Sequence, residues 1–391
     1  MTTMTANSVA KNTSTLRIHP VSSKADTEQF IRVQHNVLGN DPAWVTPLFL
    51  ERSMHLSSKH NPFFEHARMQ AWIAFRGDQA VGRISAQIDQ LHLDKYKDAT
   101  GFFGMLDAED NVETFAALIS TAENWLRSEG MERVRGPFNL SINEEMGLLV
   151  DGFDTPPVFL MGHAKPYYLT HIEACGYGKA KDVLAYMIPP NFEAPVVMQR
   201  LVAASAHRVR VRPIDLKNFD VEIDLLRDIF NDAWSENWGF VPFTVAEFRE
   251  LGKNLKFLVD PKLIQIAEVD GEAVAFVVAL PNINEAIRDL NGKLFPFGWI
   301  KLLWRIKVSY PSTARVPLLG VRKKFQSTRL GPSLAFQVID NVRAQLHKLG
   351  AKDIELSWIL EDNAGMRHII ESIGGKAYKR YRILERTIGD K

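Results

Sequence analysis

Residues 316–321 read Val316-Pro-Leu-Leu-Gly-Val321, and residues 322–332 read Arg322-Lys-Lys-Phe-Gln-Ser-Thr-Arg-Leu-Gly-Pro332. An amphipathic segment continues to Leu349, and Asp353-Ile-Glu-Leu-Ser-Trp-Ile-Leu360 and Glu361-Asp-Asn363 come after it. The order is strand, loop, helix, strand and Asn. The first N–H groups of a helix have no partner within the helix, and they favour an anion. We therefore predict that this stretch holds a pyrophosphate.

Individual residues of the loop fit an anion site. Ser327 or Thr328 could cap the helix, and Pro332 suits the first turn, where its missing N–H costs little. Gly331 would let the backbone approach a phosphate closely. Positive charge comes from Lys323, Lys324 and Arg329. Spacing alone is equally compatible with an ordinary strand–helix turn that carries a solvated basic loop.

The composition excludes several classes of protein. The 391 residues include 47 Lys and Arg and 46 Asp and Glu, and a net charge of +1 gives no reason to expect nucleic acid as a partner. Cys175 is the only cysteine, so no disulfide can form within the chain and we expect a reducing, cytoplasmic setting. Residues 1–15 are expected to form a disordered tail. No window approaches the ~20 apolar residues that a membrane-spanning helix needs.

The two halves of the chain repeat one order of elements. Periodicity predicts helices over residues 26–38, 112–128, 221–234 and 332–349, and strands over residues 69–75, 80–88, 102–106, 133–136, 263–268, 273–280, 316–321 and 353–360. Gly77-Asp-Gln-Ala-Val-Gly82 resembles Asp270-Gly-Glu-Ala-Val-Ala275, and Ile172-Glu-Ala-Cys-Gly176 resembles Ile370-Glu-Ser-Ile-Gly374. Chance similarity of short hairpins is the alternative. We predict two domains, residues 16–190 and 196–391, with a Pro-rich connector between them.

The loop resembles the central motif of the GCN5-related N-acetyltransferase (GNAT) superfamily, Gln/Arg-x-x-Gly-x-Gly/Ala. This chain has Gln326-Ser-Thr-Arg-Leu-Gly331, in which Arg329 replaces the middle glycine. Asn363 and Glu371-Ser-Ile-Gly-Gly375 resemble the downstream Asn and the Glu-Lys-Leu-Gly-Phe block of the superfamily. Ile370 occupies the position that often carries a Tyr general acid, so the resemblance implies that this acid is absent.

The resemblance implies an α+β fold with a mixed sheet and two tandem acyl-CoA N-acyltransferase domains. It implies acyl-CoA as the co-substrate, bound by the second domain. The residues that it assigns to the cofactor are Leu319, Gly320, Val321, Gln326, Ser327, Thr328, Arg329, Leu330, Gly331, Ser333 and Asn363. The first domain has Asp107-Ala-Glu-Asp110 where the loop would lie, and this negative charge repels phosphate. His55, His60 and His66 lack the close spacing of metal ligands, and we expect no metal site.

Over its full length the chain is most similar to the bacterial ceramide synthase-like family. Three segments carry this resemblance: residues 136–157, which begin Gly136-Pro-Phe-Asn-Leu-Ser-Ile-Asn143, residues 231–242, which begin Asn231-Asp-Ala-Trp-Ser-Glu-Asn-Trp238, and Asn291-Gly-Lys-Leu-Phe-Pro-Phe-Gly298. Members are acyl-CoA-dependent N-acyltransferases of sphingolipid synthesis or are uncharacterised. The resemblance implies long-chain acyl-CoA and an amine that could be a sphingoid-type long-chain base.

Two other functions remain open. One is a small-molecule N-acetyltransferase that uses acetyl-CoA. The other is a non-catalytic CoA- or lipid-binding protein, suggested by Arg329 and Ile370 in place of the usual Gly and Tyr.

Acylation of an amine by a thioester needs a group that removes a proton from the ammonium, and backbone N–H groups that polarise the carbonyl. The candidate acids and bases are Glu145 (with its neighbour Glu144), Glu355, His163 and Tyr168 (beside Tyr167). Asn139, Asn143, Asn237 and Trp238 are candidates for binding the acceptor. Each candidate also has a structural alternative. Glu144, Glu145, Asn139 and Asn143 could form a capped turn, and Glu355 could face solvent. His163 and the two tyrosines could mark the entry to a helix, and Asn237 and Trp238 could serve only in packing.

Residues 294–307, Leu294-Phe-Pro-Phe-Gly-Trp-Ile-Lys-Leu-Leu-Trp-Arg-Ile-Lys307, are apolar, aromatic and basic. The segment is too short to span a bilayer. It could lie in a lipid headgroup interface or gate an acyl chain, which gives peripheral contact with the inner membrane. The alternative is a core helix whose Lys and Arg side chains extend to solvent.

Overall fold

A computed structural model describes residues 15–389. The predicted tail, residues 1–15, lies outside the described residues except for Thr15. The strands are β1 (Leu16–Pro20), β2 (Ala67–Arg76), β3 (Gln79–Asp89), β4 (Thr100–Ala108), β5 (Arg133–Gly136), β6 (Phe138–Asn139), β7 (Glu145–Met146), β8 (Leu148–Asp151), β9 (Gly178–Ile188), β10 (Val209–Pro213), β11 (Ile264–Val269), β12 (Glu272–Pro281), β13 (Thr313–Val321), β14 (Asp353–Leu360) and β15 (Lys376–Thr387).

The α-helices are α1 (Lys24–Leu38), α2 (Phe49–His55), α3 (Gln90–Tyr96), α4 (Val112–Ser128), α5 (Tyr167–Ala174), α6 (Val196–Ser205), α7 (Phe219–Trp234), α8 (Val245–Leu255), α9 (Ile283–Ile287), α10 (Gly298–Lys307), α11 (Lys323–Gln326), α12 (Leu330–Lys348) and α13 (Ala364–Ser372). Single 3-10 turns lie at Pro62–Glu65, Leu216–Asn218 and Pro261–Leu263. The predicted helices and strands are confirmed, several of them with identical bounds, such as α4 and β14.

One mixed sheet passes through both halves of the chain, in the order β1-β2-β3-β4-β5-β15-β9-β14-β13-β12-β11-β10, with β8 also paired to β15. Only β4 with β5 and β13 with β14 run parallel, and each of these pairs is joined through a helix, α4 or α12. The two halves therefore repeat the same arrangement, and the predicted α+β fold of two tandem domains is confirmed.

The final strand of each half pairs with the opposite half. β9 from the first half lies beside β14 of the second, and β15 at the end of the second half lies beside β5 of the first. The two exchanged strands also pair with each other along most of their length. Tyr381, Ile383 and Leu384 of β15 consequently belong to the hydrophobic core of the first half.

The parallel strands β13 and β14 separate after a short paired section. Their pairing ends at Val316 and Leu356, although both strands continue beyond these residues. Pro317 follows directly, and its missing N–H cannot continue a ladder. The pairing of β13 with β12 also shifts there, between the partners of Val278 and Leu280, which is a bulge in β13. The result is an opening within the sheet, beside the loop predicted to hold a pyrophosphate.

The first half has the corresponding opening, but its own chain fills it. β4 pairs with β5 only as far as Phe102, and its pairing with β3 shifts after Gly104. The Met105 N–H of the bulged strand donates to Asn139 Oδ1 at 2.7 Å. A Cβ on Gly104 would lie 1.8 Å from the Phe138 carbonyl oxygen, so glycine is needed there.

His66 connects the two halves electrostatically. Its Nδ1 lies 2.9 Å from Asp89 of the first half, and its Nε2 lies 3.2 Å from Glu247 at the start of α8 in the second. Burial disfavours the charged imidazole, but the two carboxylates outweigh it and raise the pKa of His66 to about 10. The charged ring is therefore part of the contact between the halves at neutral pH.

Replacement of His66 by Gln is expected to destabilise the protein in a pH-dependent way. The folded pKa lies above the unfolded value of about 6.5, so the contribution is complete below pH ~6.5 and disappears as the pH rises through about 10. We expect a loss of about 2–4 kcal/mol at pH 6 that shrinks towards pH 10, measured by urea unfolding. Replacement of the exposed His207 is the control, and a loss that is constant or grows with pH would contradict the assignment.

Candidate active site

The loop between β13 and α12 is anchored by Gln326. Its Nε2 donates to the Ala233 carbonyl at 3.0 Å and to the Val321 carbonyl at 2.8 Å. The side chain thus ties the loop to the end of α7 and to β13. Gln326 is placed to shape the loop, and its amide nitrogen is already used within the protein.

The start of α12 is tightly built around Thr328 and Gly331. Thr328 Oγ1 accepts from the Leu330 N–H at 3.2 Å, and the Thr328 carbonyl accepts from the Gly331 N–H at 3.2 Å. A Cβ on Gly331 would lie 2.5 Å from the Phe325 carbonyl oxygen. The sequence argument for Gly331 was close approach to phosphate, but the loop itself already requires glycine there.

Ser333 was predicted to contact the cofactor, and its side chain is not free to do so. The hydroxyl is buried and lies 2.8 Å from Ser205 Oγ of α6, with Gln337 Nε2 donating to it at 3.2 Å. This hydroxyl is therefore already hydrogen-bonded within the protein, and the cofactor role of Ser333 stays a prediction.

Charge around the loop is more balanced than the sequence indicates. Lys323 Nζ pairs with Glu236 at 2.7 Å, and Lys324 Nζ pairs with Glu272 at 2.6 Å. Arg329 is the exposed residue immediately before α12, and no ion pair to it is found among residues 15–389. Arg329 is therefore the cation best placed to meet a phosphate at this helix terminus, beside the exposed Ser327.

The remaining predicted cofactor residues border the opening in the sheet. The Leu319 carbonyl accepts from Trp234 Nε1 at 2.9 Å, and the Trp234 ring packs edge-on against Trp358 of β14, 5.4 Å between centroids. A Cβ on Gly320 would meet the Phe276 ring at 2.7 Å. Asn363 caps α13 by accepting from the Met366 N–H at 3.1 Å. Its structural role is thus the helix cap.

A cleft that opens to solvent lies between the two halves. Its apolar walls come from both halves: Trp44, Val45, Pro47, Leu48, Pro157, Phe159, Leu160, Met161, Ile283 and Ile287. Its polar groups are Gln34, Glu51, Arg52, Glu145, His163 and Asn284. The lining thus combines apolar side chains with a few polar groups, two of them carboxylates, as small-molecule sites do.

His163 is the cleft residue with the clearest capacity to take a proton. Its Nε2 lies 3.0 Å from Asp41 Oδ2, so this nitrogen carries the proton that Asp41 accepts. Its Nδ1 is buried and has no hydrogen-bond partner. Burial lowers the pKa of His163 below its usual value, although the Asp41 carboxylate acts in the opposite direction. The ring is therefore neutral at pH 7. The pKa of Asp41 itself falls to about 2, because His163 and Lys165 outweigh its burial.

Glu145 supplies negative charge to the same cleft. It pairs with Arg52 at 3.2 Å and accepts from Asn139 Nδ2 at 2.9 Å. Burial opposes its ionisation, but Arg52 and Asn139 outweigh burial and hold its pKa below the usual range. Its neighbour Glu144 points away, to His55 of α2. Glu145 is therefore an ionised carboxylate that an ammonium group could meet.

Glu355 faces neither solvent nor the cleft. It is completely buried and accepts hydrogen bonds from Ser357 Oγ and from the hydroxyl of Tyr378. The alternative of a solvent-facing carboxylate is wrong. Tyr378 is the extra residue of a bulge in β15: its neighbours Ala377 and Lys379 pair with adjacent residues of β9. From this bulge its side chain reaches across β9 to Glu355 on β14. No periodicity in the sequence indicates that bulge.

Arg315 joins this buried group to the cleft wall. It lies on β13 next to the bulge, 3.8 Å from Glu355, and donates from Nη1 to the carbonyls of Phe159 at 3.0 Å and Leu160 at 3.2 Å. Lys379 holds the preceding part of the same loop through the Gly152 and Thr155 carbonyls. The opening in the sheet and the cleft therefore share one wall, built on Arg315.

The other predicted residues have structural contacts. Tyr168 is buried, donates to Asp107 at 3.3 Å and does not line the cleft, and burial raises its pKa far above the usual value; its catalytic role stays a prediction. Asn143 Nδ2 donates to the Val241 carbonyl at 2.9 Å. The Arg135 guanidinium lies over the Trp238 ring, with Cζ 5.0 Å from the ring centroid. The Asn237 backbone forms a turn. Asn143 and Trp238 thus connect the two halves, whereas Asn139 binds within the first half; these residues and Asn237 do not line the cleft.

Comparison with known proteins identifies the family. The chain is 48% identical over 375 residues to the bacterial ceramide synthase of Caulobacter vibrioides, with 95% of this chain and 98% of that protein covered. It belongs to the bacterial ceramide synthase-like family. The Escherichia coli protein YghO is 49% identical to this chain over 367 residues, which is 94% of each of the two chains. No family model matches the chain.

Solved structures agree with the fold. A tandem GNAT protein from the clavulanic acid biosynthesis pathway superposes with a TM-score of 0.55, at 12% identity, over 96% of this chain and 100% of its own. The expected GNAT-type fold of two tandem domains is thus confirmed.

Proposed function

We propose that this enzyme transfers an acyl group from a long-chain acyl-CoA to a long-chain amine, such as a sphingoid-type base. The observation that carries the proposal is the cleft between the halves, which apolar side chains line together with Glu145 and His163. The name of the Caulobacter relative supports the choice of amine. A cytoplasmic location with peripheral membrane contact is part of the proposal.

Acyl-CoA would enter from the second half. Its pyrophosphate would meet the start of α12, where the helix dipole and Arg329 provide positive potential. The pantetheine would then lie in the opening between β13 and β14, along the backbone of Leu319, Gly320 and Val321. Residues 138–140 close the corresponding opening of the first half, so we assign one acyl-CoA to each chain.

The amine would bind from the cleft as an ammonium ion attracted by Glu145. Proton transfer to His163 Nδ1 would give the neutral amine, whose nitrogen attacks the thioester carbon. A C–N bond forms and the C–S bond breaks, so CoA leaves as a thiolate. The thiolate takes up the second proton of the amine, because the pKa of a thiol is about 8.5. Asp41 would hold the imidazole in the tautomer that leaves Nδ1 unprotonated.

The assignment of the loop predicts a loss of CoA affinity in Arg329→Glu. The new carboxylate would repel the phosphates at the helix terminus, and we expect the Kd for CoA to rise about 10–100-fold by calorimetry. Lys348→Glu is the matched control, since it makes the same charge change on an exposed residue at the other end of α12. Equal Kd values for the two variants would refute the assignment.

Substrate identity is tested directly by assay of the purified enzyme with palmitoyl-CoA and acetyl-CoA. We expect amide formation with palmitoyl-CoA and a sphingoid base. A preference for acetyl-CoA would favour the small-molecule acetyltransferase, and lipid binding without any thiol release would favour a non-catalytic binding protein.

A further inference from the structure

The segment from Phe295 to Val308 exposes an unusual amount of apolar surface. Six large side chains are between 43% and 74% exposed: Phe295, Phe297, Trp299, Ile300, Trp304 and Val308. On α10, Ile300 and Trp304 are four residues apart and therefore share one face of the helix. Monomeric soluble proteins rarely leave such a set uncovered without a partner.

The opposite face of α10 supports the cleft. Leu302 and Ile306 are buried in one hydrophobic cluster with Val45, Ile283 and Ile287. These last three residues also line the cleft. A single layer of side chains thus separates the exposed surface of α10 from the space assigned to the amine.

A second wall of the cleft continues the exposed surface. α2 contributes Glu51 and Arg52 to the cleft, while Leu50 and Met54 on the same helix are exposed. The Phe49 N–H donates to the Gly292 carbonyl at 3.0 Å, which joins α2 to the loop before α10.

The charge of this surface is basic. Residues 290–309 include Lys293, Lys301, Arg305 and Lys307 and no Asp or Glu. Asp289 pairs with Lys301 and Arg305, and Lys293 and Lys307 are exposed. Trp and Phe beside Lys and Arg are the side chains that amphipathic helices place at the boundary between lipid headgroups and acyl chains.

We propose that α10 and the preceding loop, residues 295–308, dock on an anionic lipid bilayer and hold the mouth of the cleft at its surface. The choice of lipid as the partner rests on the proposed function, because a long-chain amine would be dissolved in that bilayer. A second copy of the chain fits less well, since two identical basic surfaces would repel each other. No helix among residues 15–389 is long and apolar enough to cross a membrane.

The test is co-sedimentation with vesicles of phosphatidylcholine that contain phosphatidylglycerol. Phe297→Glu with Trp304→Glu should lower the partition coefficient of the full-length enzyme at least ~10-fold, because two apolar anchors are lost and two negative charges are added. The matched control is Val112→Glu with Val221→Glu, which adds the same charges at 54% and 69% exposed positions on α4 and α7. We expect the control to bind as the unmodified enzyme does.

Activity towards a short-chain, water-soluble amine separates this proposal from the proposed function. We expect the Phe297→Glu, Trp304→Glu variant to retain that activity and to lose activity only on amines embedded in vesicles. Absence of vesicle binding by the unmodified enzyme, or an equal loss in the control, would overturn the docking surface while leaving the acyl transfer intact. A concentration-dependent dimer that the double variant abolishes, without vesicle binding, would assign the surface to a second copy and also overturn the proposal.

Discussion

His163→Gln is expected to lower kcat/KM by about 10²–10⁴-fold, which is the usual contribution of a general base. The imidazole is neutral, its Nδ1 has no partner, and its Nε2 is held by Asp41 at 3.0 Å. Glutamine keeps a donor for Asp41 but cannot take a proton. Amide formation at saturating acyl-CoA, measured against pH, checks this expectation.

The pH profile distinguishes a base from a merely structural histidine. Burial lowers the pKa of His163 below 6.5, so activity of the unmodified enzyme should fall only as the pH drops through that lowered value. His163→Gln should lose this acidic limb, and Asp41→Asn should shift it while leaving the fold intact. A variant with reduced activity and an unchanged limb would show that another group is the base.

Arg315→Met is expected to destabilise the protein by about 3–5 kcal/mol, as removal of one partner of a buried ion pair does. It would leave Glu355 without its buried cation and the carbonyls of Phe159 and Leu160 without their donor. Urea unfolding measures the change. Arg249→Met, which removes an exposed pair with Asp224, is the control and should cost only ~0.2–1 kcal/mol.

The double variant with Glu355→Gln tests the electrostatic origin of that loss. Once a neutral amide replaces the Glu355 carboxylate, removal of Arg315 should lower the free energy of unfolding by a smaller amount. The loss in the double variant should therefore be smaller than the sum of the two single losses by more than ~1 kcal/mol. Strict additivity would show that Arg315 acts through the loop carbonyls alone. Because that loop carries His163 four residues after Phe159, reduced activity is expected with the loss of stability.

Local patterns in the sequence predicted most of the helices and strands correctly. The stretches around α4, α12 and β14 have clear periodicity and clear ends, such as Gly130 and Gly350, both of which have a positive φ. The motif around Gln326 and Gly331 also placed the loop between the expected strand and helix. These features depend on neighbouring residues, which a sequence displays directly.

The contacts of the site depend on residues that are distant along the chain. Arg315 meets Phe159 and Leu160 across a separation of about 155 residues, and Asp41 meets His163 across 122. Asn139 appeared in a polar segment that suggested an acceptor pocket, whereas it fills the opening in its own half. His163 was a candidate because of its residue type, beside Tyr167 and Tyr168, and its unpartnered Nδ1 became apparent only in the structure.

The exchange of β9 and β15 sets an order for folding during synthesis. The ribosome completes residues 16–190 long before it makes β15, yet β5 pairs with that last strand. The first half must therefore wait, with one edge of its sheet open, until the C-terminus emerges, and such an edge is prone to pairing with other chains. Truncation near Lys376 would thus damage the half of the enzyme that was made first.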